Sequence, residues 1–412
     1  MPPRKLESIR LRYGSGNAVA CDVDPSRLLA VHTAPAAIAD LEQDVAETLA
    51  APLEFPPLRR CVFSGDRVVL AVDRDIPGVE TILAGMWRQM ELANVRPEDV
   101  HILQPADRDE LKPADPRGEL PADVRDAVSW RVHTFERDDD CGYLASSATG
   151  DRVYLSRDVL DADVVISVGQ IAFDAVLGFR GTNSVFYPGL SNAQAAGRSQ
   201  GLGHRELGPE DERPLRSLID EIGWLLGTQF TVQTLPGANG GVSRVTAGGC
   251  EAVLRQGKRL LNDHWRVRLS TRSDVVVASV DGLAAGDGWH KLGAAVEAAR
   301  NLVVRDGRIV ILSDFSAELG EGMQLVRDSL EPADALQPLR SIAPSDLLPA
   351  SQIASAAGWA GIYLLSGLDS DTVEELFMTP LAGHREVQRL LDGEGSCVLL
   401  ESAHFLATDV AG

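Results

Sequence analysis

Residues 161–189, DADVVISVGQIAFDAVLGFRGTNSVFYPG, restrict the possible folds more than any other part of this chain. Val164, Val165, Ile166 and Val168 form a short β-branched apolar run, the pattern of a strand covered on both faces in a parallel sheet. Gly169 ends the run. Gly178, Gly181 and Gly189 come next, where the backbone can turn at positive φ or come close to a ligand. Asp174, Arg180, Asn183 and Ser184 supply polar groups to the same loop. Open α/β sheets bind ligands with the loops at the carboxyl ends of their strands, so this loop is the first candidate site.

The alternation of buried strand and helix recurs along the chain. Residues 67–72, RVVLAV, and 100–103 read as strands, with a helix predicted over 80–93 between them. Residues 6–23 alternate apolar and polar around Tyr13-Gly14-Ser15-Gly16, which predicts a hairpin. Further on, helices are predicted over 40–49, 212–226 and 248–263, and a strand over 230–233. A second series starts with a strand at 275–279, a helix at 289–304 and a strand at 308–312, and adds buried strands within 359–367 and 396–401. The pattern predicts an α/β protein of two α/β domains with mostly parallel sheets, residues 1–250 and 251–412, and an interdomain cleft. A chain of 412 residues is long enough for both, at about 100–200 residues per domain.

Several function classes lose support. No G-x-x-x-x-G-K-[ST] or G-x-G-x-x-G stands between a strand and a helix, which argues against nucleotide hydrolysis and simple dinucleotide oxidoreduction. The formal net charge of -21 disfavours nucleic acid or an anionic membrane as principal partner, while leaving room for a local basic pocket. Five cysteines without a C-x-x-C pair read as thiols in a reducing compartment. The opening MPPRKLESIRLRYG has no apolar core of a signal peptide, and no run of about 18 apolar residues occurs, so a cytoplasmic location is expected. Oligomeric state is not constrained.

Residues 169–189 resemble the nickel-dependent lactate racemase family, whose members carry G-x-I-x-P-H-x-x-A-G-F-S-G-G-x-K-x-x-x-P-G after a strand. Gly169, Ile171, Gly178, Phe179, Gly181, Pro188 and Gly189 fall in that register without a gap. The resemblance extends to L-R-Y-G near the start, to a hairpin pattern after His133, and to the helix at 212–226, and is closer before residue 235 than after it. His133 itself, isolated from any second ligand by spacing, reads as a structural or surface histidine.

What the resemblance implies is a racemase or epimerase of a 2-hydroxy acid, with departures at the chemical positions. Asp174 stands where the family has a catalytic histidine, and Ser184 where it has the lysine that bonds to the nickel-pincer nucleotide. That cofactor is therefore implied by the family while its anchor is absent, and the residues themselves establish no cofactor. At the strand end after residue 103 the family has A-T-G-T-H-R; Asp107 takes the place of its histidine and Arg108 keeps its arginine. A solvated charged loop is the other reading of that stretch. The family's D-D-x-T-R-P-x-P, whose arginine holds a substrate carboxylate, corresponds to Asp73-Arg74-Asp75-Ile76-Pro77, so Arg74 is an approximate stand-in or pairs with a neighbouring aspartate at the surface. Counting from Ser184 to the family's metal-binding histidine reaches Gln200, and the nearest histidine is His204, which serves as metal ligand or as a hydrogen-bonded loop residue.

Three functions of different class are consistent with these residues. The first is racemisation or epimerisation of a 2-hydroxy acid or sugar acid, with Asp107 and Asp174 handling protons and Arg74, Arg108 or Arg180 gripping the carboxylate. An aspartate does this near neutral pH only when burial or a neighbouring anion raises its pKa. The second is metal-free acid–base chemistry on a carboxylated sugar. The third is a non-catalytic protein that binds a small carboxylate on the racemase scaffold. A small carboxylate-bearing molecule is the partner in all three.

Overall fold

A computed structural model describes residues 6–106, 113–135, 138–199, 208, 210–282 and 288–411. The chain divides into two compact units, one formed by Ala36–Gly237 and Gly241–Asn262, the other by Met1–Pro35, Ala238–Gly240 and Asp263–Gly412. A division at residue 250 groups the opening hairpin with the N-terminal half, whereas in this structure the first strands belong with the C-terminal half. The reason is a pairing: Leu28–His32 is an edge strand parallel to Cys397–Leu400, with Val31 opposite Leu399.

The unit that begins at Ala36 is built on a six-stranded sheet. Its order is Val242–Gly249, Phe230–Pro236, Val164–Gln170, Val68–Val72, Val100–Pro105, Ser129–His133. Only the pairing of Phe230–Pro236 with Val242–Gly249 is antiparallel. All five residues of Val68–Val72 are buried, and their alternation feeds two layers. Leu70, Ile166 and Val168 pack under Ile82 and Met86 of the helix Val79–Leu92. Val69 and Ala71 face Phe186, Ile219 and Ile222 on the other side. Each of these side chains other than Ala71 contributes about 1.5–3 kcal/mol relative to exposure.

Connectivity fixes where a ligand would sit. From Val68–Val72 the chain adds strands in one direction, then returns to place Val164–Gln170 and Phe230–Pro236 on the opposite side. The order thus reverses between Val68–Val72 and Val164–Gln170, and such a reversal opens a crevice beyond the carboxyl ends of the two strands.

The other unit has a second six-stranded sheet, in the order Met378–Pro380, Gly361–Leu365, Val303–Leu312, Ser273–Ser279, Cys397–Leu400, Leu28–His32, parallel throughout. The predicted hairpin is formed by Glu7–Tyr13 and Asn17–Val23, and its Leu11, Val19 and Val23 pack with Val275, Val310 and Leu399. Between residues 313 and 358, where no element is predicted from the sequence, lie the helices Glu321–Arg327, Leu336–Ile342 and Leu347–Ala357. All five cysteines are free. Burial pushes the Cys21 and Cys250 thiols up to about 12, which makes them poor nucleophiles near neutral pH. Among the described residues no helix is long and apolar enough to cross a membrane.

Candidate functional site

One wall of the crevice is the chain just beyond Val164–Gln170. It folds back as a small hairpin, Ala172–Asp174 against Gly178–Arg180, with Ala172 opposite Arg180 and Asp174 opposite Gly178. Asp174 closes its turn: Oδ1 accepts the backbone N–H groups of Val176 and Leu177, both at 2.8 Å. Gly178, at φ 72°, takes a conformation that a side chain would oppose. Arg213 buttresses the same turn, donating to the Ala175 carbonyl at 2.9 Å. Burial lowers the Arg213 pKa, and the carboxylates of Asp174 and Asp211 partly offset that.

Arg180 leaves this hairpin toward the strand end. Its Nη2 donates to Gln170 Oε1 at 2.8 Å, and Gln170 is only 4% exposed. Neither Arg180 Nε nor Gln170 Nε2 meets an acceptor among the described residues. Gly181, at φ 108°, then brings the chain within 3.0 Å of Ile171 Cα at the point where a Cβ would sit. Its N–H donates to Ser184 Oγ at 2.8 Å, closing the short turn Thr182–Val185. Arg216, from the helix Pro214–Leu226, pins this turn through the carbonyls of Phe179 and Gly181, at 3.2 and 3.1 Å. Lys258 lies with Nζ 4.8 Å from the centre of the Phe179 ring, a cation–π contact beside the loop.

On the other side of the crevice, the loop after Val68–Val72 starts with the Asp73 N–H donating to the Val168 carbonyl at 2.8 Å. Arg74 reaches the end of the next strand, where Nη1 donates to the Ala106 carbonyl at 3.0 Å. His133 ends the edge strand of the same sheet. It is 1% exposed, and Nε2 donates to the Ser191 carbonyl at 2.7 Å. Burial is the main cause that lowers its pKa.

Arg74, Asp174, Arg180 and Ser184 therefore stand on two loops at the ends of adjacent strands. Asp107, Arg108 and His204 lie outside the described residues. Gln170, Arg213 and Arg216, which hold the loop, were not singled out by sequence. The signal for Gln170 was a long polar side chain ending a mostly apolar strand, VVISVGQ. Among the described residues no three His, Cys, Asp or Glu side chains gather closely enough to hold a metal.

A cavity of about 630 Å3 occupies the other unit, lined by Ser316, Glu318, Gln324, Arg327, Asp369 and Thr372 among others. Two of its charges are engaged locally, Arg327 with Glu375 at 3.3 Å and Asp369 with the Thr372 N–H at 2.8 Å.

Residues 13–199 match the family model of the lactate racemase N-terminal domain. The chain is similar in structure to the lactate racemase apoprotein from Thermoanaerobacterium thermosaccharolyticum, with a TM-score of 0.79 at 15% identity, covering 98% of this chain and 100% of that one. A protein from Thermotoga maritima aligns with a TM-score of 0.65 at 13% identity, over 90% and 98% of the two chains. A search of curated proteins gives no match.

Proposed function

For a chain that is lactate racemase-like in its N-terminal domain and in its fold, we propose that it binds a small carboxylate in the crevice beyond Val68–Val72 and Val164–Gln170. The observation that carries this reading is Arg180: it is held by a neutral amide and has no carboxylate partner among the described residues. A guanidinium presented in that way favours a planar anion with two oxygens. Arg74 and Arg108 are the further cations we assign to the same ligand, whose class we take to be 2-hydroxy acids or sugar acids. The net charge of -21 speaks against nucleic acid or an anionic membrane surface as partner and leaves room for a local basic site. The absence of C-x-x-C pairs fits a reducing, cytoplasmic setting.

The nickel-pincer nucleotide does not fit these residues. At the position that the resemblance gives to the anchoring lysine, Ser184 offers a hydroxyl instead of an amine, and that oxygen accepts the Gly181 N–H.

The isomerase reading keeps one supporting observation. Asp174 is half-buried on the hairpin that forms one side of the crevice, where it could take a proton from the carbon bearing the ligand's hydroxyl while Asp107 returns one on the opposite face. Screening 2-hydroxy and sugar acids by thermal shift tests the binding reading directly. A stabilising acid whose effect disappears in Arg180→Ala supports it; an effect unchanged in that variant overturns it.

A further inference from the structure

We propose that Arg216 is a positioning residue for the anion site: it holds Thr182 in a left-handed conformation that the threonine would otherwise leave, and so keeps Arg180 at the strand end. The inference rests on the reading that Arg180 binds the anion, and assigns what sets that arginine in place.

The two residues after Arg180 both have positive φ, Gly181 at 108° and Thr182 at 53°. Glycine takes such a conformation freely, whereas a β-branched side chain opposes it. Strain of this kind persists only where the surroundings over-determine the backbone. Thr182 is 2% exposed, and Arg216, 7% exposed, supplies the contacts that do so.

Arg216 brackets Arg180. Its Nη1 donates to the carbonyls of Phe179 and Gly181, one residue to each side of Arg180, and its Nη2 donates to Thr182 Oγ1 at 3.1 Å. Asp220, one turn further along the same helix, aims the fork by accepting from Nε at 3.0 Å. Gly223 completes the seat, since a Cβ there would collide with the Asn183 amide. Arg216, Asp220 and Gly223, spaced by four and three residues, share the helix face on which the turn rests. The hydroxyl gives threonine a use at this strained position. It accepts from Arg216 and donates to the Gly181 carbonyl at 2.7 Å, two bonds that a glycine could not make.

Without Arg216, that hydroxyl and the carbonyls flanking Arg180 lose this donor, and Thr182 relaxes towards negative φ. The backbone that aims Arg180 at Gln170 then turns away from the strand end.

Calorimetric titration of the full chain with sodium D-lactate and L-lactate, and amide hydrogen exchange read by mass spectrometry, test the inference. The variants are Arg216→Lys, Arg216→Lys with Thr182→Gly, Asp220→Asn and Arg180→Ala. Lysine keeps the charge but brings one nitrogen in place of three. Arg216→Lys should bind lactate roughly tenfold more weakly, the effect of releasing a strained residue. Peptides covering 178–189 should exchange faster in this variant, while those covering 68–72 and 164–170 stay protected. Adding Thr182→Gly should restore most of the affinity, because glycine holds the conformation unaided. A bond that merely supports the fold predicts no such rescue, so a double variant as weak as Arg216→Lys overturns the inference. Should Arg216→Lys not fold, Asp220→Asn decides, and binding and exchange unchanged from wild type in that variant overturn the inference. If Arg216→Lys binds lactate like wild type while Arg180→Ala does not bind, the inference fails and the reading of Arg180 stands. If Arg180→Ala binds like wild type, or wild type binds neither enantiomer, the reading of Arg180 falls and the inference with it.

Discussion

The Gly181 N–H donates to Ser184 Oγ at 2.8 Å, so this hydroxyl, at the position that the resemblance gives to a cofactor lysine, serves the backbone of its own turn. Ser184→Ala should cost about 0.5–2 kcal/mol, as the loss of a comparable side-chain cap does, and urea denaturation would measure it. The intact mass of purified protein should equal that of the polypeptide alone. A nucleotide-sized adduct mapping to residues 178–189 would reverse the assignment, and one at Lys258 would show that attachment had moved to the cation beside Phe179.

Asp174 gives a second test, because its two backbone hydrogen bonds separate architecture from chemistry. Asp174→Ala should destabilise by about 0.5–2 kcal/mol. Asp174→Asn keeps an acceptor oxygen and should melt within a few degrees of wild type. If the protein is an isomerase, Asp174→Asn also eliminates exchange of the ligand's α-hydrogen with deuterated water, measured by NMR. Exchange that persists in this variant would remove Asp174 from the chemistry.

Asp281 is 1% exposed, and its Oδ2 accepts the Asn239 N–H at 2.7 Å. Burial first, with Glu401 adding to it, raises its pKa above the ordinary 3.8. The folded state therefore holds this proton to higher pH than the unfolded state, and stability declines as pH rises from 3.8 through the raised value. Asp281→Asn keeps the acceptor without the charge. Its melting temperature should exceed wild type at neutral pH, with the gain shrinking as pH approaches 3.8.

His133 has the opposite sign. Burial, opposed by its bond to the Ser191 carbonyl and supported by the charge of Arg131, holds its pKa below the ordinary 6.5. Once pH falls below 6.5 the unfolded chain takes up a proton that the folded protein refuses, so stability is lost on acidification. His133→Gln should flatten that acid limb in melting curves. It should also cost about 0.5–1.5 kcal/mol at neutral pH if the Ser191 bond is not replaced.

Local periodicity explains what the sequence disclosed. Val68–Val72, Val164–Gln170 and the hairpin around Gly14 and Gly16 were readable because the pattern of apolar residues lies within each segment. Leu28–His32 was not, since LLAVH is short and its partner is Cys397–Leu400, at the far end of the chain. Leu347–Ala357 was missed because alanines and Pro349 blur its helical face. At the site, the glycines located the loop bearing Asp174, Arg180 and Ser184. The bonds from Arg213 and Arg216 to that loop depend on how a distant helix packs, and no spacing in the sequence encodes them.

The edge pairing of Leu28–His32 sets a schedule for the newborn chain. These residues leave the ribosome well before the strand they must join, Cys397–Leu400. At about 5–20 residues per second the wait is roughly 20–70 s. Meanwhile the unit from Ala36 to Asn262, interrupted only by Ala238–Gly240, has all its strands and can close. Until that strand emerges, the apolar side of the hairpin, with Leu11, Val19 and Val23, lacks part of the sheet that covers it, and this is the surface a nascent-chain chaperone would meet.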